Sequence, residues 1–301
     1  MARIKLIWQS KLVLLVVLPA VGANLVLETH WWAVNSASLA IWTIGLCALL
    51  GLVAWKLHSA TAGGAFAGAV ITASMMYSTA VVPYAPWRTA IAPVLAVLVL
   101  TSAATRLGRA SKERLGLAEK RHGRSASQVA ANLGFASLIS CEVAQSWLID
   151  SGWFAPHGIA PIPIFAPMLA ALAEAAADTV SSEIGQVFGG RPFMLTTLRR
   201  VDPGSNGAIS LTGTLAGIVA AGVVAALGGF ALFPGNRSEM ISETAIAWAG
   251  GVFGLFFDSL LGATIEQRGW LSNDLVNFLS TASSAAFALG VMAVLPRSGI
   301  G

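Results

Sequence analysis

Ala208-Ile209-Ser210-Leu211-Thr212-Gly213-Thr214-Leu215-Ala216-Gly217-Ile218-Val219-Ala220-Ala221-Gly222-Val223-Val224-Ala225-Ala226-Leu227-Gly228-Gly229-Phe230-Ala231-Leu232 runs its whole length without a charged side chain. A run of about 20 apolar residues is long enough, as a helix, to cross a hydrocarbon core of roughly 30 Å. Backbone polar groups in lipid must be satisfied within the segment, so such a run implies a helix. The rest of the chain repeats the pattern. Of 301 residues, 56% are hydrophobic and 11% charged, against about 25% charged in a soluble domain. The mean hydropathy is +0.74.

Nine spans are expected, at 8–28, 33–56, 60–81, 87–107, 126–149, 161–186, 208–232, 243–264 and 274–295. The predicted fold is all-α, a polytopic transmembrane helix bundle forming a single integral membrane domain over 1–301. The third span is rich in Gly and Ala, and the sixth carries three carboxylates. The first apolar run follows Lys5 and Lys11. It is read as a retained helix, because Glu28-Thr29-His30-Trp31-Trp32 makes a poor cleavage site. Cys47 and Cys141 both lie in apolar segments and read as small buried residues.

Cytoplasmic loops accumulate Lys and Arg. With the N-terminus inside, the inside segments hold fifteen of the eighteen basic residues, and Arg88, Arg237 and Arg297 fall outside. The asymmetry argues for the N-terminus in the cytoplasm and the C-terminus outside, and it supports an odd number of spans. The pI near 9.4 would suit nucleic acid. The basic residues sit between apolar spans, however, so topology accounts for them and nucleic acid is excluded as a partner. The expected location is a prokaryotic cytoplasmic membrane, with the active site facing the cytoplasm.

Charges inside a membrane helix cost about 2.5–3.5 kcal/mol each on insertion scales, and they default to functional hypotheses. The sixth span holds Glu174, Asp178 and Glu183, the first two four apart on one helix face. The eighth ends through Asp258. The ninth starts with Asn273 and Asp274, and its Asn277 shares a face with Asn273. Ser125, Gln128 and Asn132 open the fifth span, and Asn206, Gly207 and Ser210 lead into the seventh. Under this topology all of these lie on the cytoplasmic side.

Carboxylates suit Mg²⁺, which takes one or two of them plus substrate phosphates. Arg forks and Lys point charges at Lys120, Arg121 and Arg124 suit phosphate. A glycine-bearing helix start favours anions. Together these suggest phosphoryl transfer at the membrane surface. Plainer readings stand beside it. Arg106 to Arg114 is the ordinary positive-inside signal, and the glycines of the third and seventh spans suit helix packing. Asn236-Arg237-Ser238 is a weak glycosylation sequon. No Walker A motif is present, which excludes a P-loop as the nucleotide site.

The segments 122–132, Asp178-Thr179-Val180-Ser181-Ser182-Glu183-Ile184-Gly185, Leu195-Thr196-Thr197, 204–213, 258–264 and Asn273-Asp274-Leu275-Val276-Asn277 stand in this order. In that order the chain resembles the polytopic membrane family that includes the phytyl-phosphate kinase of the tocopherol pathway. The resemblance covers roughly 58–290, leaving 1–57 as two extra N-terminal helices. It implies transfer of a phosphoryl group from a nucleoside triphosphate, CTP or ATP, to a prenyl or phytyl monophosphate, with Mg²⁺ as cofactor. Asp178, Glu183 and Asp258 would be catalytic and, with Asp274, would hold the metal. Lys120, Arg121, Arg124, Gln128, Asn132, Thr196, Thr197, Asn206, Gly207, Ser210, Asn273 and Asn277 would bind nucleotide or phosphate. Two departures bear on substrate choice: Ala177 stands where the pattern has Gly before Asp178, and Gly204-Ser205-Asn206-Gly207-Ala208 replaces Gly-Thr-Asn-Gly-Gly. A prenol kinase, a lipid-phosphate cytidylyltransferase and an ion-coupled transporter stay open, as does a homo-oligomer. A transporter predicts polarity at the midplane and often repeats, and no internal repeat is evident.

Overall fold

The structure, a computed structural model, describes residues 6–114, 116, 123–151, 164–235 and 237–294. Lys120 and Arg121 of the basic cluster lie outside the described residues, as do Asn236 of the sequon and the terminal Arg3, Lys5 and Arg297. The helices are α1 (Ile7–Asn35), α2 (Ala37–Lys56), α3 (Ala62–Ser78), α4 (Ile91–Arg106), α5 (Arg109–Arg114), α6 (Ala126–Ser140), α7 (Glu142–Asp150), α8 (Ala166–Phe188), α9 (Leu211–Leu232), α10 (Arg237–Leu261) and α11 (Asn273–Val294). A π-helical turn, Gly262–Glu266, extends α10.

Polar caps fix several helix starts. The Thr61 hydroxyl accepts from the Gly64 N–H at 3.1 Å to open α3. Ser125 and Gln128 form a reciprocal capping box at α6. Ser210 accepts from the Gly213 N–H at 3.2 Å at α9. Each cap satisfies N–H groups that a helix start leaves without an internal partner.

Among the described residues, helix occupies each of the nine expected positions, with two differences. Five helices are both long and apolar enough to cross a membrane: α1, α2, α9, α10 with its π turn, and α11. α3 and α4 have 17 and 16 residues, about 24–26 Å of rise and so shorter than the hydrocarbon core. The fifth expected span is not continuous. It breaks at Cys141, whose extended backbone separates α6 from α7. The Gln145 side chain stands in for the missing ladder there, donating to Ile139 O at 2.8 Å and Ile164 O at 3.0 Å and accepting from Ile164 N at 2.7 Å.

α8 is the central helix, in contact with α4, α6, α9, α10 and α11. Every residue from Ala166 to Ala177 is buried. Its alanines meet glycines on its neighbours: a Cβ at Gly251 would fall 2.7 Å from that of Ala173, and one at Gly217 would fall 2.7 Å from the Ala177 carbonyl oxygen. Small residues let the helices approach closely enough for dispersion contacts to hold them, where lipid removes the usual hydrophobic drive. α8 can therefore carry carboxylates because its surroundings are protein. On the periphery, Leu15, Val26, Ile41, Phe66, Leu211, Val219 and Phe230 are all largely exposed. Such a surface is suited to lipid.

One end of the bundle gathers the starts of α1, α3, α6, α9 and α11 and the ends of α2, α4, α8 and α10. Gln9 of α1 donates to Trp270 O at 2.9 Å and accepts from Ser272 N at 2.6 Å, clasping the α10–α11 link. Arg106 donates to Leu57 O at 2.7 Å, and Gln267 donates to Asn206 O at 2.9 Å. A two-stranded antiparallel ribbon, β1 (Phe193–Met194) with β2 (Ala208–Ile209), pairs Phe193 with Ile209 and Met194 with Ala208 at this end. Lys11, Lys56, Arg106, Arg109, Lys112, Arg114, Arg124, Arg191, Arg199, Arg200 and Arg268 belong to it. Arg88 and Arg237 belong to the other. The charge bias along the chain is thus a bias between two ends of the bundle.

Candidate functional site

The helical period puts Glu174 and Asp178 on one face of α8. Asp258 arrives from α10 and Ser280 from α11. Gly254, one turn before Asp258, permits the approach: a Cβ there would stand 1.8 Å from Ser284 Oγ and 2.6 Å from Glu174 Cγ. Ser280 donates to Glu174 Oε1 at 2.6 Å. Asp178, Asp258 and Glu174 lie close enough to act on one another electrostatically. Neighbouring carboxylates repel unless a proton or a cation lies between them. Asp258 Oδ2 and Glu174 Oε2 are buried without a hydrogen-bond partner, so the cluster presents acceptor oxygens that the protein leaves unmatched.

Arg124 supplies the opposing charge. Its backbone is pinned to the α2–α3 turn: Thr61 N donates to Arg124 O at 3.0 Å and Arg124 N donates to Ser59 O at 3.1 Å. Gly123 makes this possible with φ +75°, where a Cβ would stand 2.5 Å from His58 O. The Arg124 guanidinium donates to Thr179 Oγ1 on α8 at 3.2 Å and acts electrostatically on Asp178. Beside it, Asn277 of α11 donates to Asn132 Oδ1 of α6 at 3.1 Å, and Asn132 donates to Gln128 O at 2.9 Å. Arg124 and Asn132 also line a cavity of about 960 Å³, its open mouth included, among α2, α3, α4 and α6.

The other expected site residues fall into three groups. Glu183 is engaged by Lys112, which is 1% exposed and ion-pairs with it. Gln128 and Ser210 use their side chains as helix caps. Gly207, at φ +74°, brings its loop against the π turn, where a Cβ would stand 2.1 Å from Ala263 N. Asn206, Thr196, Thr197 and Asn273 are exposed at the same end, and Asp274 sits in the first turn of α11.

Of the four carboxylates expected to hold a metal, Glu183 is the one the structure pairs with an ammonium. Among the described residues no three of His, Cys, Asp and Glu gather closely enough to hold a metal. The carboxylates brought together are Asp178 and Asp258, with Glu174 beneath them. Donors of this kind fit Mg²⁺ only where substrate phosphates or waters complete the shell.

Lys112, Thr179 and Ser280 were not singled out as site residues by their sequence context, and Glu174 was noticed without a role. Lys112 looked like one more cation in a basic loop. Its burial comes from α5 folding against α8, which no local pattern announces.

The profile of the family described as Integral membrane protein DUF92 matches residues 45–285. The chain belongs to this family. All six ordered motifs lie inside the DUF92 match, and the resemblance built on them is borne out. The chain is 34% identical over 205 residues to the uncharacterized membrane protein sll0875 of Synechocystis, covering 66% of this chain and 72% of that one. It is 31% identical over 202 residues to Protein VTE6, chloroplastic, of Arabidopsis thaliana, covering 65% of this chain and 56% of that one. With Protein PGR of the same plant it shares 30% identity over 192 residues, 60% of this chain and 65% of the other. No solved structure matches the chain. As a DUF92 member it is an integral membrane protein, in keeping with its apolar helices.

Proposed function

We propose that this DUF92 protein is an isoprenoid-phosphate kinase. It moves a phosphoryl group from CTP or ATP to a prenyl or phytyl monophosphate and yields the lipid diphosphate. The observation that carries the reading is the half-buried carboxylates of Asp178 and Asp258, acting on each other electrostatically with Arg124 beside Asp178, at the basic end of the bundle. The family resemblance supports the substrate class. The positive-inside rule turns this end to the cytoplasm, where nucleotide is supplied.

An oxygen of the acceptor monophosphate attacks the γ-phosphorus. A new P–O bond forms, the bond from the γ-phosphorus to the β–γ bridging oxygen breaks, and nucleoside diphosphate leaves with that oxygen. The attacking oxygen is already ionised near neutral pH, so no strong base is required. Positioning and charge neutralisation then do most of the catalysis, as in phosphoryl transfer generally. Arg124 is held by Thr179 and by the α2–α3 turn, so its fork faces the phosphates with little freedom to lose. Asn132 and Asn277 hold each other and orient phosphate or nucleotide oxygens. Asn206 and Asn273 reach the nucleotide from the rim, and Lys120 and Arg121 add positive charge from the segment before Gly123. Asp178 and Asp258 would hold Mg²⁺, which would neutralise negative charge on the phosphates.

The unmatched Glu174 oxygen, deep in α8, is the feature that would suit an ion-coupled transporter instead. One assay separates the readings. Purified protein is given CTP or ATP labelled in the γ-phosphate, Mg²⁺, and a panel of prenols and prenyl monophosphates. The expected product is labelled lipid diphosphate, lost in Asp178→Asn and in Asp258→Asn while both variants elute as folded protein. No labelled lipid across the panel, or full transfer in both variants, would overturn the kinase reading.

A further inference from the structure

We propose that the cavity among α2, α3, α4 and α6 takes the hydrocarbon tail of a single-chain lipid monophosphate, and that the missing side chain at Gly68 sets how long that tail can be. The inference rests on the kinase reading for the acceptor's identity. Its geometry stands on the cavity itself.

The cavity is polar at one end and apolar at the other. At its mouth stand Arg106 and Arg124. Arg106 donates to Leu57 O at 2.7 Å and Ser59 Oγ at 3.3 Å, which fixes its guanidinium across the α2–α3 turn, the same turn that pins Arg124. Arg124 is pinned to that turn by its backbone while its guanidinium reaches Thr179 on α8, so two fixed arginines flank the mouth, a setting for a phosphate and not for a neutral headgroup. From Arg106 down to Val94 the α4 wall descends about 18 Å. Along that depth the lining turns to Val97, Leu98, Val129 and Leu133. The buried hydroxyl of Thr72 donates to Gly68 O at 2.7 Å, so this wall offers the interior no unmatched donor. The free space of about 960 Å³ includes the open mouth, so the fit rests on depth and lining rather than on volume. An apolar wall about 18 Å long suits one chain of a few isoprene units.

Two glycines on α3 differ in a way that locates the gauge. A Cβ at Gly64 would stand 2.3 Å from Arg124 O, so packing demands glycine there. A Cβ at Gly68 would meet only Val129 Cγ1, at an ordinary 3.6 Å. Packing tolerates a side chain at 68, and its absence leaves space beside Val129 part-way down the cavity. Continuity completes the case. Arg124 lines the cavity and reaches Thr179 on α8, the neighbour of Asp178, so a phosphate at the mouth is delivered next to Asp178.

The test uses the full-length protein in two arms. In the first, Gly68→Leu and Gly68→Ala are compared with the parent on prenyl monophosphates of increasing length. Because one misfitted methylene is worth about 10–200-fold in discrimination, Gly68→Leu should lower kcat/KM for the longest acceptor about 10-fold or more while leaving the shortest within about twofold. Gly68→Ala should fall between. Equal loss at all lengths, or none, overturns the proposal and leaves the kinase reading intact. The second arm needs no turnover and no mutation. A prenyl monophosphate with a photoreactive group at its tail end is crosslinked without nucleotide, and the labelled peptides are mapped. Label on α3, α4 or α6 beside the cavity, displaced by excess unlabelled prenyl phosphate, supports the site even if no transfer is found. Label confined to outward residues such as Leu211 or Val219, or displacement only by a two-chain phospholipid, overturns it.

Discussion

Replacing Lys112 by Met separates a structural role for Glu183 from a metal-binding one. Lys112 is 1% exposed. It donates to Ala104 O at 2.9 Å and Thr105 O at 3.3 Å, two carbonyls in the last turn of α4, and it ion-pairs with Glu183. Those carbonyls have no onward helical partner, so one ammonium satisfies three acceptors on two helices. Removing one partner of a buried pair costs about 3–5 kcal/mol, because the other charge is left uncompensated. The Glu183 side chain keeps 12% exposure, which permits some solvation and favours the lower end, about 3 kcal/mol. In a chain of this size each kcal/mol moves the melting temperature by about 2–4 °C, so Lys112→Met should melt roughly 6–12 °C lower in the same detergent. Replacing both partners by apolar residues is often neutral, so adding Glu183→Met should recover most of that loss. On the proposed kinase reading the double variant should also retain lipid phosphorylation, the outcome expected where Glu183 serves Lys112 and not the phosphates. A single variant within about 2 °C of the parent would refute the structural argument. A double variant that is folded, as stable as the parent and inactive would return Glu183 to the reacting groups.

Three further outcomes are expected. Gln145→Ala strips partners from Ile139 O, Ile164 O and Ile164 N. At about 1–3 kcal/mol per orphaned buried group, it should lower the melting temperature clearly and speed amide exchange at Ile164, and unchanged exchange there would count against the clasp. Gly207→Ala places a Cβ 2.1 Å from Ala263 N at a positive φ. It should lift the 195–207 loop off the π turn and raise tryptic cleavage after Arg199 and Arg200, whereas parental cleavage would show that the loop is not held there. For the proposed sidedness, single cysteines at Asp202 and Ser238, both exposed, are introduced with Cys47 and Cys141 replaced by Ala. In right-side-out vesicles an impermeant maleimide should label Ser238→Cys and spare Asp202→Cys, and the opposite pattern would invert the topology.

Much of the fold was legible because lipid imposes a coarse rule. Apolar runs of sufficient length must be helices, and each expected span contains helix. The break at Cys141 was not legible: residues 126–149 are apolar enough to read as one span, and the Gln145 bonds that replace the ladder reach Ile164, far along the chain. The short α3 and α4 were overextended because hydropathy continues past the point where turns end the helix. At the site, the spacing of Glu174 and Asp178 predicted a shared face, and they share it. Asp258, on another helix, was recognised as polar and out of place, but its pairing with Asp178 could not be read from spacing. Gln128 and Ser210 were polar for a nearer reason, since a cap and a ligand draw on the same residue types.

The amino-acid sequence by itself determined that this is a helical membrane protein with its charge concentrated toward one end, and it selected the family through six ordered motifs. Periodicity, apolar length and cation bias are local properties, and lipid acts on them locally. Only the tertiary structure decided which polar residues meet. It joined Asp178 to Asp258, gave Glu183 to Lys112, and set Arg106 and Arg124 on one turn above an apolar cavity. Those pairings depend on helices approaching through Gly254, Gly217 and Gly251, a packing outcome that involves chain segments far apart in sequence.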